Sequence, residues 1–327
     1  MSTSSSVPGA GTTLHEHPPA PSSRTDGPRR RSRHWAHAPW YVPVLFLAGG
    51  LGLVLTMTLF PFLNTVVLSF TDATMLRGGS FVGLDNFQRL WADERFVTAL
   101  LNSTLYVLLV VPLMVVLPLV LATLVAGEGR FLGVFRTAFY LPVVMSAVVV
   151  GLIWTNLLDN RGLINELLRW LSVVSAPVPF LTDRWLLLFC AMFVTVWMGM
   201  GYYMVIYLAA LANVDSTLYE AAAIDGAGPV RQFLSVTIPG VRNTMTLIGM
   251  FSSVAAFRVF GEVYVLTGGT GGPGGGVITM TMLIQREGTG LQAQTGYAGA
   301  ISLVMFAILA VLLVLQLVVQ NRQGDQR

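Results

Sequence analysis

Glu220–Gly240, EAAAIDGAGPVRQFLSVTIPG, is a polar island between two long apolar stretches, and it carries Glu220, Asp225 and Arg231. Tyr219 to Ile224 is rich in alanine, the residue that loses least on entering a helix, so it reads as one or two helical turns. Gly226-Ala227-Gly228-Pro229 then breaks it, because glycine ends helices and proline can only begin the next one. Val230 to Thr237 predicts a second short helix with Val230, Phe233 and Leu234 on one face, stopped by Pro239-Gly240. Two short helices set at an angle, at a membrane surface, make a docking knob.

The composition supplies the membrane. Of the 327 residues, 54% are apolar and 11% charged, whereas a soluble globular chain carries about 25% charged residues. The net charge of +3 sits mainly in the N-terminal tail. No basic stripe exists elsewhere, so no nucleic-acid partner is expected.

Absent residue types exclude whole classes of chemistry. All 19 basic residues are arginine. Without lysine there is no phosphate loop of the Walker type and no Schiff base. His15, His17, His34 and His37 all lie in the tail, which leaves the apolar body without an imidazole base or metal ligand. Cys190 is alone in an apolar run, cannot form an intrachain disulfide, and reads as a small hydrophobe. No cofactor and no metal are expected, and any ATP hydrolysis must belong to another polypeptide.

Residues 34–71, 96–127, 137–158, 185–214 and 288–321 contain no Asp, Glu or Arg. About 20 apolar residues cross a bilayer, so each predicts one helix. A sixth span, about Asn243 to Leu266, is long enough but contains Arg258 and Glu262. The fold class is therefore an all-α polytopic membrane protein with six transmembrane helices. The expected organisation is a disordered cytoplasmic tail (1–38), a first helix with an outer segment (39–95), a core of five helices carrying the polar loop 212–243 (96–320), and a short cytoplasmic tail (321–327). Arg29-Arg30-Arg31-Ser32-Arg33 ahead of the first span holds the N-terminus in the cytoplasm. The remaining arginine distribution agrees and puts both termini and Glu220–Gly240 on that side.

The knob also carries a resemblance. Glu220-Ala221-Ala222, three residues, Gly226, nine residues, then Val236-x-Ile238-Pro239 resembles the EAA loop of permease subunits of ATP-binding-cassette importers, with Val236 and Ile238 as conservative departures. Gly83-Leu84-Asp85-Asn86-Phe87 with Phe96 and Asn102 is similar to a stretch early in the sugar permeases of that superfamily. So are Phe135 to Pro142, Asn160 to Leu171, and Val263 to Gly269. The resemblance covers about residues 40 to 320 and points to the first-permease type of the carbohydrate-uptake family in a prokaryotic plasma membrane. It implies an importer type I permease fold without catalytic residues of its own. It also implies a second permease subunit as heterodimer partner, two ATP-binding subunits, an extracytoplasmic solute-binding protein and a sugar substrate, all around a lipid-embedded chain. In such a permease Glu220, Ala221, Ala222, Asp225, Gly226, Ala227 and Pro239 would couple to the ATPase.

Five residues are candidates for the solute pathway. Arg258 and Glu262, four apart, would share one helix face, either hydrogen-bonding sugar hydroxyls near mid-membrane or bracing the helix as a structural pair. Trp197 and Tyr203 could stack on a sugar ring or serve as packing and interfacial aromatics. Asn156 is a comparable polar candidate near the outer end of the third span. The glycine-rich stretch Gly268 to Gly276 looks superficially like a phosphate cradle but lacks lysine, and reads as a flexible connector. An ion-coupled secondary transporter using Glu262 is the alternative function.

Overall fold

The computed structural model describes residues 41–127 and 129–324. The N-terminal arginine run, the histidines and the tail at 1–38 lie outside the described residues. The architecture is helical; the only β pairing among the described residues is one antiparallel bridge between Thr71 and Phe81. The chain divides into two units at Leu55/Thr56. The first unit holds α1 (Tyr41–Val54), which has no buried residue. The second holds α2 (Phe60–Ser69), which follows a π turn at Leu55–Leu59.

The second unit is organised around α4 (Glu94–Val125), which packs along α8 (Arg184–Leu211) and α12 (Arg242–Phe257). Tyr106, Tyr207, Leu119, Leu188, Met204 and Ile248 are fully enclosed among these helices. Pro112 and Pro118 sit inside α4 and remove donors from its ladder. The Tyr207 hydroxyl donates to the Val115 carbonyl at 2.9 Å, in the turn preceding Pro118. α15 (Thr295–Gly324) packs on α2, where Gly296 faces the Thr71 carbonyl and Gly299 the backbone of Thr65 and Ser69. Small residues let two backbones approach this closely.

Five helical segments are long and apolar enough to cross a bilayer: Tyr41–Ser69, Glu94–Val125, Arg184–Leu211, Arg242–Leu266 and Thr295–Gln320. The expected third span differs from a single helix over 137–158. α5 (Arg130–Tyr140) runs into a 3-10 turn, Leu141–Val144, and α6 (Ala147–Leu158) starts again with the two arms bent by 100°. Pro142 cannot continue the ladder, and Ser146 caps the new helix by accepting from the Val148 N–H at 3.3 Å. α3 (Asp85–Ala92) and α7 (Leu163–Trp170) are short helices at the ends of the bundle.

Candidate functional site

The polar island folds as two short helices joined by a tight turn. α9 (Ser216–Ile224) is capped by Asp215, whose carboxylate accepts from the Thr217 N–H at 2.9 Å. That backbone bond, with the Thr217 hydroxyl second, holds the Asp215 carboxyl below the ordinary aspartate range. At the other end the Gly226 N–H bonds the Ala223 carbonyl at 3.0 Å and the Ala227 N–H bonds the Ala222 carbonyl at 2.9 Å. This paired pattern is a Schellman turn, and it needs a left-handed residue at its centre. Gly226 supplies it with φ +75.

The second helix then starts at Pro229, where a missing N–H costs nothing. It runs α10 (Pro229–Gln232), a π turn (Phe233–Thr237) and α11 (Ile238–Gly240). It ends at Gly240, where Pro239-Gly240 was expected to stop it, with Pro239 inside the last turn. The Ile238 N–H reaches back five residues to the Phe233 carbonyl, and this wider turn gives the proline ring room that a regular α turn denies.

Two side-chain bonds set the angle between the helices. The hydroxyls of Tyr219 and Thr237 are 3.1 Å apart, and Gln232 Nε2 donates to the Ala227 carbonyl at 3.0 Å. Ala227 and Thr237 are buried in the crook, while Phe233 and Ile238 pack down onto the bundle core. The outer surface keeps Leu218, Ile224, Val230 and Leu234 exposed beside Glu220 and Asp225. Ile224 is 87% exposed and Val230 74%, so this surface is apolar, charged at its edge, and rigidly framed. Sequence reading placed the two helices but gave no signal for Tyr219–Thr237.

The five pathway candidates do not converge. Arg258 ends α12 with φ −93 and ψ 12, and α13 (Gly261–Leu266) begins after Phe260 at φ −140. The helix break between them removes the expected four-residue stacking, and among the described residues no ion pair joins Arg258 to Glu262. The break is held open by Thr279, whose hydroxyl donates to the Val259 carbonyl at 3.0 Å. Arg258 is exposed in a groove of about 710 Å³ whose walls include Phe251, Val254, Leu313 and Leu317. Trp197 packs edge-on against Trp154 at 5.7 Å and lines a separate cavity of about 230 Å³ at the Pro142 bend. Asn156 donates to the Leu152 carbonyl of its own helix at 2.8 Å, and Tyr203 is buried against Tyr202.

Residues 89–324 match the family described as binding-protein-dependent transport system inner membrane component. The chain belongs to this family. It is 33% identical over 274 residues to the lactose transport system permease protein LacF of Rhizobium radiobacter, covering 83% of this chain and 91% of that protein. It is 32% identical to the diacetylchitobiose uptake system permease protein NgcF of Streptomyces coelicolor, covering 94% of this chain and 89% of that protein. A chain of the crystal structure of a bacterial ABC transporter involved in the import of the acidic polysaccharide alginate shares the fold, with a TM-score of 0.75 at 21% identity over 86% of this chain and 96% of that one. Membership in an importer family sets aside the ion-coupled alternative built on Glu262.

In this permease, the polar residues that carried the flanking resemblances are clamps. Asn86 donates to the Ser69 and Thr71 carbonyls at 2.9 and 2.8 Å, closing the end of α2. Asn165 donates to the carbonyls of Asp159 and Val178 and accepts from the Val178 N–H, fixing the segment around α7. Arg136 donates to the carbonyls of Val125 and Gly127 past the end of α4. Asn102 donates to the Gly276 and Ile278 carbonyls, both at 2.9 Å, and the Met280 N–H donates to Ser103 at 3.0 Å. The glycine-rich stretch is therefore a folded loop bolted into the bundle, not the flexible connector its composition suggests.

Proposed function

We propose that this permease is a subunit of an ATP-driven carbohydrate importer and couples to a separate ATPase through the knob α9–α11. The observation that carries this is the knob itself: an exposed apolar surface edged by Glu220, on a frame fixed by a Schellman turn and the Tyr219–Thr237 bond. A rigid projection transmits displacement, whereas a floppy loop absorbs it. Ile224, Val230 and Leu234 would seat in a cleft of the ATPase, Glu220 would make the ionic contact, and Gly226 would hold the bend that aims them. Ala221, Ala222 and Ala227 keep the turn compact, Asp225 sits at its edge, and Pro239 leads the second helix back to the bundle.

The carbohydrate class is supported by the lactose and diacetylchitobiose transport functions named for its relatives. The working assembly would hold this chain, a second permease, two ATP-hydrolysing subunits and an extracytoplasmic solute-binding protein. Both termini and the knob would lie in the cytoplasm. Rocking of the helices would then alternate access to the solute.

Proteoliposomes carrying the complex test this reading, with wild type compared against Glu220→Ala. Assembly that survives while solute uptake and stimulation of ATP hydrolysis by the loaded binding protein both collapse is the expected result. Uptake that persists without the ATPase would refute it.

A further inference from the structure

The short helix α7 carries more apolar surface than the bundle covers. Ile164 packs onto the core and Asn165 is fully buried, with Leu168 half-buried beside them. Glu166 and Arg169 form an ion pair on a second face. At about 100° per residue, Leu163, Leu167, Trp170 and Leu171 fall together on a third face, and all four are exposed.

Hydrogen bonds fix the level of this face along the bundle. Asn165 Nδ2 donates to the Val178 carbonyl at 3.1 Å, and Val178 lies just ahead of Asp183, the cap of α8. The start of α8 is in turn level with the start of α4, because the Tyr106 and Thr195 hydroxyls, 3.1 Å apart, are each about three turns into their helix. Trp91 in α3, Trp170 in α7 and Trp185 in α8 therefore stand at one end of the bundle, 67%, 79% and 49% exposed. Charges gather at the same level. Glu94 and Arg95 begin α4, Arg184 begins α8, and Arg95 is 3.7 Å from Glu287 in the last turn of α14 (Met280–Gly288).

The spans are long enough to say what this level is. α8 has 28 residues, about 42 Å of helix, which matches a bilayer of about 40–45 Å with both headgroup layers. Its far end leads into the knob, so its start lies in the opposite headgroup layer. Exposed tryptophans among charged residues mark that boundary, where an indole has one apolar and one wet side.

We infer that α7 is an interfacial helix that lies on the bilayer, in the leaflet opposite the knob. Leu163, Leu167, Trp170 and Leu171 contact the acyl chains beneath the headgroups, and Glu166 and Arg169 face the water. Such a helix binds through buried apolar area, and here the ion pair cancels its charge. The anchor also has a mechanical consequence. α6 ends at Leu158, one short turn before α7, so α7 pins to the membrane surface the arm of the third span that follows the 100° bend. This placement depends on the membrane-spanning helices alone, not on the ATPase or the solute.

Spin labels on the intact complex test it, in vesicles of phosphatidylcholine and phosphatidylglycerol. The labels sit on single cysteines in a cysteine-free background, with Cys190→Ala in this chain. Leu163→Cys, Leu167→Cys and Trp170→Cys should be open to oxygen, and about tenfold less open to a water-soluble nickel chelate than Glu166→Cys and Arg169→Cys. Equal access of the chelate to both sets would put the face in water and overturn the inference. Exclusion of both reagents from 163, 167 and 170 would mean that a protein covers the face, which overturns it equally. Trp170→Phe supplies a second readout that keeps an aromatic ring in place. Lipids brominated near the headgroup should quench less tryptophan emission in this variant than in the unsubstituted complex, and unchanged quenching would also refute the lipid contact.

Discussion

Gly226→Ala tests whether the rigidity of the knob matters for coupling, because within this chain it perturbs the turn without a steric clash. Gly226 has φ +75, and a Cβ built there meets no atom within 4 Å. The substitution therefore creates no clash. Its cost is the backbone strain of a side chain in the left-handed region, about 1–2 kcal/mol. That corresponds to an opening equilibrium raised about 5- to 30-fold, local to the two bonds that close the Schellman turn. Hydrogen exchange of the complex in nanodiscs should register it as faster exchange of the Gly226 and Ala227 amides, with the α4 and α8 amides unmoved. Stimulation of ATP hydrolysis by the loaded binding protein should fall in step. Gly226→Asn should lie between alanine and wild type, since asparagine visits the left-handed region more readily. Exchange at Ala227 within twofold of wild type in the alanine variant would refute the strain argument. Faster exchange with undiminished stimulation would refute the role of rigidity in coupling.

Asn102→Leu leaves the Gly276 and Ile278 carbonyls without their buried donor. It should destabilise by about 1–3 kcal/mol, seen as a lower melting temperature in detergent and new proteolytic cuts within the glycine loop. Gly201→Ala would put a Cβ 2.1 Å from the Phe139 carbonyl oxygen, a backbone clash that cannot relax by rotamer change, so the yield of monodisperse protein should drop. An unaltered elution profile and melting curve would contradict the close packing of α5 on α8. The Asp215 carboxyl is held below its ordinary value of 3.8 by the Thr217 N–H. A depressed native value means that its cap is fully stabilising above the ordinary value and is lost as the pH falls through the lower, native one. Pepsin cleavage within α9 should therefore rise steeply with acidification in wild type and show a flatter profile in Asp215→Asn, whose neutral cap does not titrate; identical profiles would count against the cap.

Much of this was legible in the sequence because it depends on neighbours in the chain. Charge-free runs announced the spans, since lipid admits few charges wherever the helix ends up. The alanine run, Gly226 and Pro229 announced the two knob helices, since caps and breaks are local chemistry. The same locality explains what misled. Arg258 and Glu262 read as stacked on the assumption of an unbroken helix, and the break at Val259 depends on a hydroxyl 20 residues away, Thr279. Gly268 to Gly276 reads as flexible because glycine frees the backbone, and that freedom is removed by bonds within the loop and by Asn102, 174 residues from Gly276.

The sequence by itself determined the membrane class, the family and the local design of the knob, because hydropathy, spacing and turn chemistry act over a few residues. The tertiary structure decided the rest. It bent the third span, turned the motif asparagines into clamps and brought Trp91, Trp170 and Trp185 to one level. Each of those outcomes rests on hydrogen bonds or close packing between segments far apart in the chain, and no local pattern records them.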